Sequence, residues 1–191
     1  MRIKICGITS VDDALSAQSA GADAIGVVMY SHSKRSVSKK RAAEIFAALD
    51  PFTATVVVSH TSDPQEFADM LTLRPTAVQI SYPFAVPEKT TGVKVLRVAA
   101  KGQPLPDDCD GIVIDESQGE GRRFDLAFAR DVVRRSRVPV ILAGGLTPEN
   151  VQDAVSRVRP YAVDVASGVE THPGVKDNEK ILAFIKACRG V

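Results

Sequence analysis

Several short apolar runs of the chain end in a residue able to move a proton or hold a polar ligand. In the first run, Ile3 and Ile5 share one parity while Arg2, Lys4 and Cys6 share the other. A strand that packs its isoleucines against helices therefore turns Cys6 into the mouth of the fold, beside Gly7. Asp115 closes Gly111-Ile112-Val113-Ile114, and Gln79 and Asp164 lie near the ends of two further runs. Each has a plainer explanation when taken alone. A cysteine after an isoleucine serves as a small buried hydrophobe, and an aspartate after a strand serves as a cap or turn residue. Their joint placement at one rim predicts a polar pocket.

Two segments read as a cradle for phosphate. Ala143-Gly144-Gly145-Leu146 follows the seventh run and Ala166-Ser167-Gly168-Val169 follows the eighth. Glycine lets backbone N–H groups approach an anion closely, and a helix N-terminus adds a favourable dipole. Thr147-Pro148-Glu149 supplies that N-terminus as an N-cap followed by a first-turn proline. One Gly-Gly pair is an ordinary tight turn; paired with Ser-Gly one unit later, it predicts a bound phosphate. Arg35, in Ser33-Lys34-Arg35-Ser36, carries a planar fork suited to clamping a carboxylate, although a surface loop accounts for it equally. His32, His60 and His172 have no metal-ligand spacing, so no metal site is predicted.

The elements that must position these residues alternate regularly. Strands are expected at Arg2–Cys6, Ala24–Val28, Ala54–Val58, Thr76–Ile80, Val93–Val98, Gly111–Asp115, Val138–Leu142 and Tyr161–Val165. Between them, sets such as Val151, Ala154, Val155 and Val158 trace one helical face. Thr9 to Asp12 resembles a capping box for the first helix. Repeated β-then-α units predict an α/β fold with one parallel sheet covered by helices. Eight such units are the number that closes a (β/α)8 TIM barrel, with an open doubly wound sheet as the alternative. Gly102, Pro104 and Pro106 leave little room for a helix after the fifth strand, so that helix is expected to be short or missing.

Composition excludes other classes. The 191 residues suit a single domain, 1–191, that needs no staples for its core, and they are few for a barrel, typically about 250 residues. With 24 basic and 23 acidic side chains the net charge is +1, which gives no reason to expect nucleic acid or an anionic membrane as partner. Trp is absent, which disfavours a base-stacking platform. Cys6, Cys109 and Cys188 are too few and too scattered for a disulfide framework or zinc site. With no apolar run of membrane length and no signal segment, a reduced cytoplasmic protein is expected. Its oligomeric state, monomer or homodimer, is left open.

Together these residues resemble the phosphoribosylanthranilate isomerases of tryptophan biosynthesis. The resemblance runs through Lys4-Ile5-Cys6-Gly7-Ile8-Thr9, Ser33-Lys34-Arg35, Phe124-Asp125, Ala143-Gly144-Gly145-Leu146 and Pro148-Glu149-Asn150-Val151. It continues through Val163 to Glu170 and Pro173-Gly174-Val175-Lys176-Asp177, so it covers essentially the whole chain in order. It implies a cofactor-free Amadori rearrangement of N-(5-phosphoribosyl)anthranilate. By the family pattern Asp115 is the general acid at the ribose ring oxygen and Cys6 the base at C2. Arg35 would hold the anthranilate carboxylate, with Lys4, Gln79 and Asp164 as further substrate-binding residues. Gly144, Gly145, Ser167 and Gly168 would hold the phosphate. A thiol acting as base needs nearby positive charge, a part that Lys4 is placed to play.

Three segments depart from the pattern. The fourth strand reads Gln79-Ile80-Ser81-Tyr82 where Gln-Leu-His-Gly is usual; Gly119-Glu120-Gly121-Arg122 replaces a Gly-Gly-Ser/Thr-Gly loop; Ala166 stands where serine is common. Two other readings stay open at this point. The related histidine-pathway isomerases would call for an aspartate where Cys6 stands, and a non-catalytic phosphosugar-binding barrel would bind without turnover.

Overall fold

A computed structural model describes residues 1–81, 83–85, 92–115 and 125–190. Eight parallel strands form a closed barrel in sequence order: β1 (Arg2–Ile5), β2 (Ala24–Val28), β3 (Ala54–Ser59), β4 (Ala77–Ile80), β5 (Lys94–Ala99), β6 (Gly111–Ile114), β7 (Val140–Leu142) and β8 (Ala162–Val165). Closure comes from β1 lying beside β8, in a register that sets Lys4 against Asp164 and Ile5 against Val165. The open-sheet alternative is thereby ruled out. Cys6 and Asp115, expected as last strand residues, sit one position beyond their strands.

Six helices cover the barrel: α1 (Val11–Ala20), α2 (Lys39–Ala48), α3 (Pro64–Leu71), α4 (Leu126–Arg135), α5 (Val151–Val158) and α6 (Asn178–Arg189) among the described residues. Strand parity separates two apolar layers. Ile3 and Ile5 face outward into a core shared with Ala14 and Ala17 of α1 and with Ile181, Phe184 and Ile185 of α6. Inside the barrel are two smaller plugs, one of Cys6, Val28, Val56, Val58 and Ala77, the other of Val113, Ile141, Ala143 and Ala162. Gly26 is needed on β2, because a Cβ there would lie 2.9 Å from Lys4 Cε and 3.0 Å from Cys6 Sγ.

No helix follows β5. Residues 100–110 form turns and irregular chain, and a buried arginine helps hold them in its place. Arg97 shares the outward parity of Val95 and Ala99, and its Nη2 donates to Asp108 Oδ2 at 2.7 Å and to the Phe84 carbonyl at 3.1 Å. Leu105 and Cys109 complete the cover over the outer core.

Two helix starts differ from expectation. The N-cap of α1 is Ser10, whose hydroxyl accepts from the Asp13 N–H, one residue later than the Thr9–Asp12 box. Helix α5 begins at Val151 and not at the proline. Residues 147–150 form a turn in which Asn150 Oδ1 accepts from the Thr147 N–H at 2.8 Å while its Nδ2 donates to the Gly145 carbonyl at 2.8 Å. Asn150 satisfies the turn from its far end, so Thr147 does not cap. A hairpin of β9 (Glu170–His172) and β10 (Val175–Lys176) sits between β8 and α6. No helix among the described residues is long and apolar enough to cross a membrane.

Candidate active site

One cavity of about 760 Å³ opens at the carboxyl ends of the strands, the end at which parallel barrels bind ligands. Eight of the residues singled out from sequence line it: Cys6, Arg35, Gln79, Asp115, Gly144, Gly145, Asp164 and Ser167. Ring order fixes their arrangement. Gly144 and Gly145 follow β7, Ser167 follows β8, Cys6 follows the next strand round, β1, and Asp115 follows the preceding one, β6. The glycine-bearing loops are thus flanked by the thiol on one side and the carboxyl on the other. Gly144 and Gly145 have φ of +86° and +64°, left-handed values that a side chain would strain.

Lys4 and Gly168 stand outside the cavity wall. Lys4 lies beneath it, buried, with Nζ donating to Asp164 Oδ2 at 2.7 Å and to Gln79 Oε1 at 2.9 Å. It supports two lining residues and does not itself reach the opening. Gly168 is a packing glycine: a Cβ there would come within 1.9 Å of the Leu146 carbonyl oxygen, so its lack of a side chain lets the β7 and β8 loops touch.

The electrostatics of the floor follow from burial. Burial works against the Lys4 ammonium, but the Asp164 carboxylate and the Cys6 sulfur outweigh it and hold Lys4 well above its usual value. Asp164 spends Oδ2 on this pair; its Oδ1 is buried and finds no hydrogen-bond partner. A buried acceptor left in this way suits a ligand donor, such as a hydroxyl. Burial pushes the Cys6 thiol above its ordinary range; Lys4 and Lys176 pull it down and Asp164 pushes it further up. Lys4 thus lowers the thiol as expected from sequence, but burial, helped by Asp164, outweighs it.

Arg35 crosses the backbone of Gly7, where a Cβ would lie 2.6 Å from its Cδ. Its fork is engaged by Glu170, with Nε donating to Oε1 at 2.9 Å and Nη2 to Oε2 at 2.7 Å. Lys176 Nζ donates to the same Oε1 at 2.8 Å. Sequence reasoning quoted Glu170 and Lys176 in motifs but gave them no part, since nothing local reveals a partner 135 residues away. It also passed over His60, whose Nδ1 lies 2.8 Å from Ser81 Oγ on the cavity wall. The β3–β4 register, with Ser59 beside Ile80, makes the two neighbours. Tyr82, the Gly119–Arg122 loop and Phe124 lie outside the described residues. Among the described residues no group of three or more His, Cys, Asp or Glu is placed to hold a metal ion.

Comparison with known proteins agrees with this geometry. Residues 3–187 match the family described as N-(5'phosphoribosyl)anthranilate (PRA) isomerase. A protein of Methanoregula boonei named N-(5'-phosphoribosyl)anthranilate isomerase is 60% identical over 190 residues, spanning 99% of this chain and 97% of that one. The crystal structure of phosphoribosyl anthranilate isomerase from Thermus thermophilus superposes with a TM-score of 0.86 at 34% identity, covering 100% and 99% of the two chains. Another structure, of phosphoribosyl anthranilate isomerase in complex with reduced 1-(o-carboxyphenylamino)-1-deoxyribulose 5-phosphate, superposes at 0.81 with 35% identity, covering 100% of each chain. With a match of that extent and a polar strand-end cavity of this make-up, the chain belongs to the N-(5'-phosphoribosyl)anthranilate isomerase family.

Proposed function

We propose that this protein is the phosphoribosylanthranilate isomerase of tryptophan biosynthesis, acting as one barrel domain by acid and base catalysis from its own side chains. The observation that carries the reading is the placement of Cys6 and Asp115 on either side of the β7 and β8 loops in one cavity. A substrate phosphate held by backbone groups at Gly144, Gly145 and Ser167 leaves the sugar carbons between the thiol and the carboxyl.

The chemistry then runs in two stages. The Asp115 carboxyl protonates the ribose ring oxygen while the anthranilate nitrogen donates its lone pair; the C1–O bond breaks and a C1=N iminium forms. Cys6 sulfur next removes the C2 proton, and the electron pair moves into a C1=C2 bond to give a neutral enolamine. Proton transfer from the C2 hydroxyl and to C1 completes the ketone. The order matters to Cys6. Burial favours the protonated thiol, and the iminium is a cation formed next to it, which favours the thiolate at the moment it is needed. Arg35 holds the anthranilate carboxylate, and the free Oδ1 of Asp164 accepts from a substrate donor. The reading places the enzyme in the cytoplasm, where thiols are kept reduced.

Each of the two groups is expected to contribute about 10²–10⁴-fold to the rate. The test is steady-state turnover of N-(5-phosphoribosyl)anthranilate, generated from anthranilate and phosphoribosyl pyrophosphate by the transferase. Cys6→Ser and Asp115→Asn should each lower kcat by about that factor. Near-normal turnover in both variants, or binding without turnover in the unaltered protein, would sink the mechanism.

A further inference from the structure

The catalytic reading uses Arg35 but leaves unexplained the buried carboxylate and amine behind it. Glu170 has a side chain only 3% exposed and Lys176 one that is 0% exposed. Neither lines the cavity, whereas Arg35 does. Lys176 Nζ is anchored twice, to Glu170 Oε1 at 2.8 Å and to the Ala166 carbonyl at 3.1 Å. Glu170 in turn takes Arg35 through Nε and Nη2, the side of the fork that faces away from Nη1. No described residue accepts from Nη1.

We propose that Glu170 is the positioning residue that aims Arg35 at the substrate carboxylate, with Lys176 fixing Glu170 in turn. This inference rests on the reading of Arg35 as the carboxylate anchor. A bidentate guanidinium–carboxylate pair fixes a plane as well as a distance. The stem of Arg35 is also confined by its passage over Gly7. The guanidinium is thus held in one orientation before substrate arrives, so little side-chain entropy is lost on binding. The charge count also matters. Two cations and one anion leave the cluster at +1, enough to attract a second carboxylate even though Glu170 already occupies one edge of Arg35. A lone arginine at this rim would be free to turn toward solvent, and a fully neutralised one would attract less.

The test compares two substrates across a set of variants. The substrates are N-(5-phosphoribosyl)anthranilate and its aniline counterpart, which lacks the ortho carboxylate. The proteins are the unaltered chain, Glu170→Gln, Arg35→Met and the double variant. A residue that improves binding equally in ground and transition states acts on KM and not on kcat. Glu170→Gln should therefore raise KM for the anthranilate substrate by about tenfold, with kcat changed less than about threefold. It should leave KM for the aniline substrate unchanged and add nothing in the Arg35→Met background. Glu170→Asp, which keeps the charge but withdraws it by one methylene, should show the same split more weakly, and it serves if the glutamine variant does not fold. An unchanged KM for the anthranilate substrate, or an equal rise for both substrates, overturns the proposal while leaving the isomerase reading intact. No turnover of either substrate by the unaltered chain overturns both.

Discussion

Two buried charge clusters among the described residues of this barrel are built in opposite ways. The floor cluster, Lys4 with Asp164 and Gln79, comes from strand interiors, and the β1–β8 register alone sets Lys4 opposite Asp164. Its ion pair is formally balanced, and burial outweighs the pull of Lys4 on the sulfur of Cys6 just above. The rim cluster, Arg35 with Glu170 and Lys176, comes from the connection after β2 and from the β9–β10 hairpin, and it carries +1. Strands supply rigidity with neutrality, whereas loops supply the charge that meets an anionic ligand. The division suits an isomerase on which both a phosphate and a carboxylate must be held.

Breaking the floor should have the largest effect on stability. Lys4→Met leaves the buried Asp164 without its partner, and the expected loss is about 3–5 kcal/mol in urea or thermal unfolding. Adding Asp164→Leu should restore much of that stability without restoring activity, because an apolar pair of similar volume removes the unpaired charge. A loss below about 1 kcal/mol for Lys4→Met would place the pair among exposed ones and undo the contrast.

A smaller effect is expected from crowding the same floor. Gly26→Ala would set a Cβ at 2.9 Å from Lys4 Cε and 3.2 Å from the Cys6 Cα. The flexible lysine stem can give way, but the backbone of Cys6 cannot, so a cost of about 1–3 kcal/mol is expected. Turnover should fall further than stability alone explains, since Cys6 moves with its backbone.

The subtlest test reads the thiol itself. Alkylation of Cys6, followed by mass spectrometry of its peptide, measures its thiolate fraction against pH. Burial raises this thiol, so the midpoint should lie above the ordinary 9.0, with less thiolate at neutral pH than a free cysteine carries. Asp164→Asn removes the charge that offsets Lys4, and the midpoint should then move down. A midpoint below 9.0 in the unaltered chain, or one that Asp164→Asn leaves in place, would show that burial and the Asp164 charge do not set the Cys6 thiol.

Much of the architecture was legible from residue order. The parity of Ile3 and Ile5 against Lys4 and Cys6 placed one pair outside and the other inside, and the structure agrees. Gly102, Pro104 and Pro106 announced the missing helix after β5, although not the buried Arg97 that ties down the chain in its place. Local signals misled where a partner competed for the same group. Thr147 reads as a cap, but Asn150 satisfies that turn, and α5 starts at Val151. At Gly168 the residue order also gave no sign of the close packing of its Cα against the Leu146 carbonyl.

By itself, then, the order of residues determined the alternation of strands and helices, which side of each strand is buried, and which strand ends carry polar groups. Those follow from hydrophobic periodicity, a property of neighbours along the chain. Only the closed barrel decided that Lys4 meets Asp164 across 160 residues and that Glu170 holds Arg35 across 135. It also decided that the Cys6 thiol is raised and not lowered. Charge pairing and desolvation depend on distance in space, and β1 comes to lie beside β8 only when the sheet closes on itself.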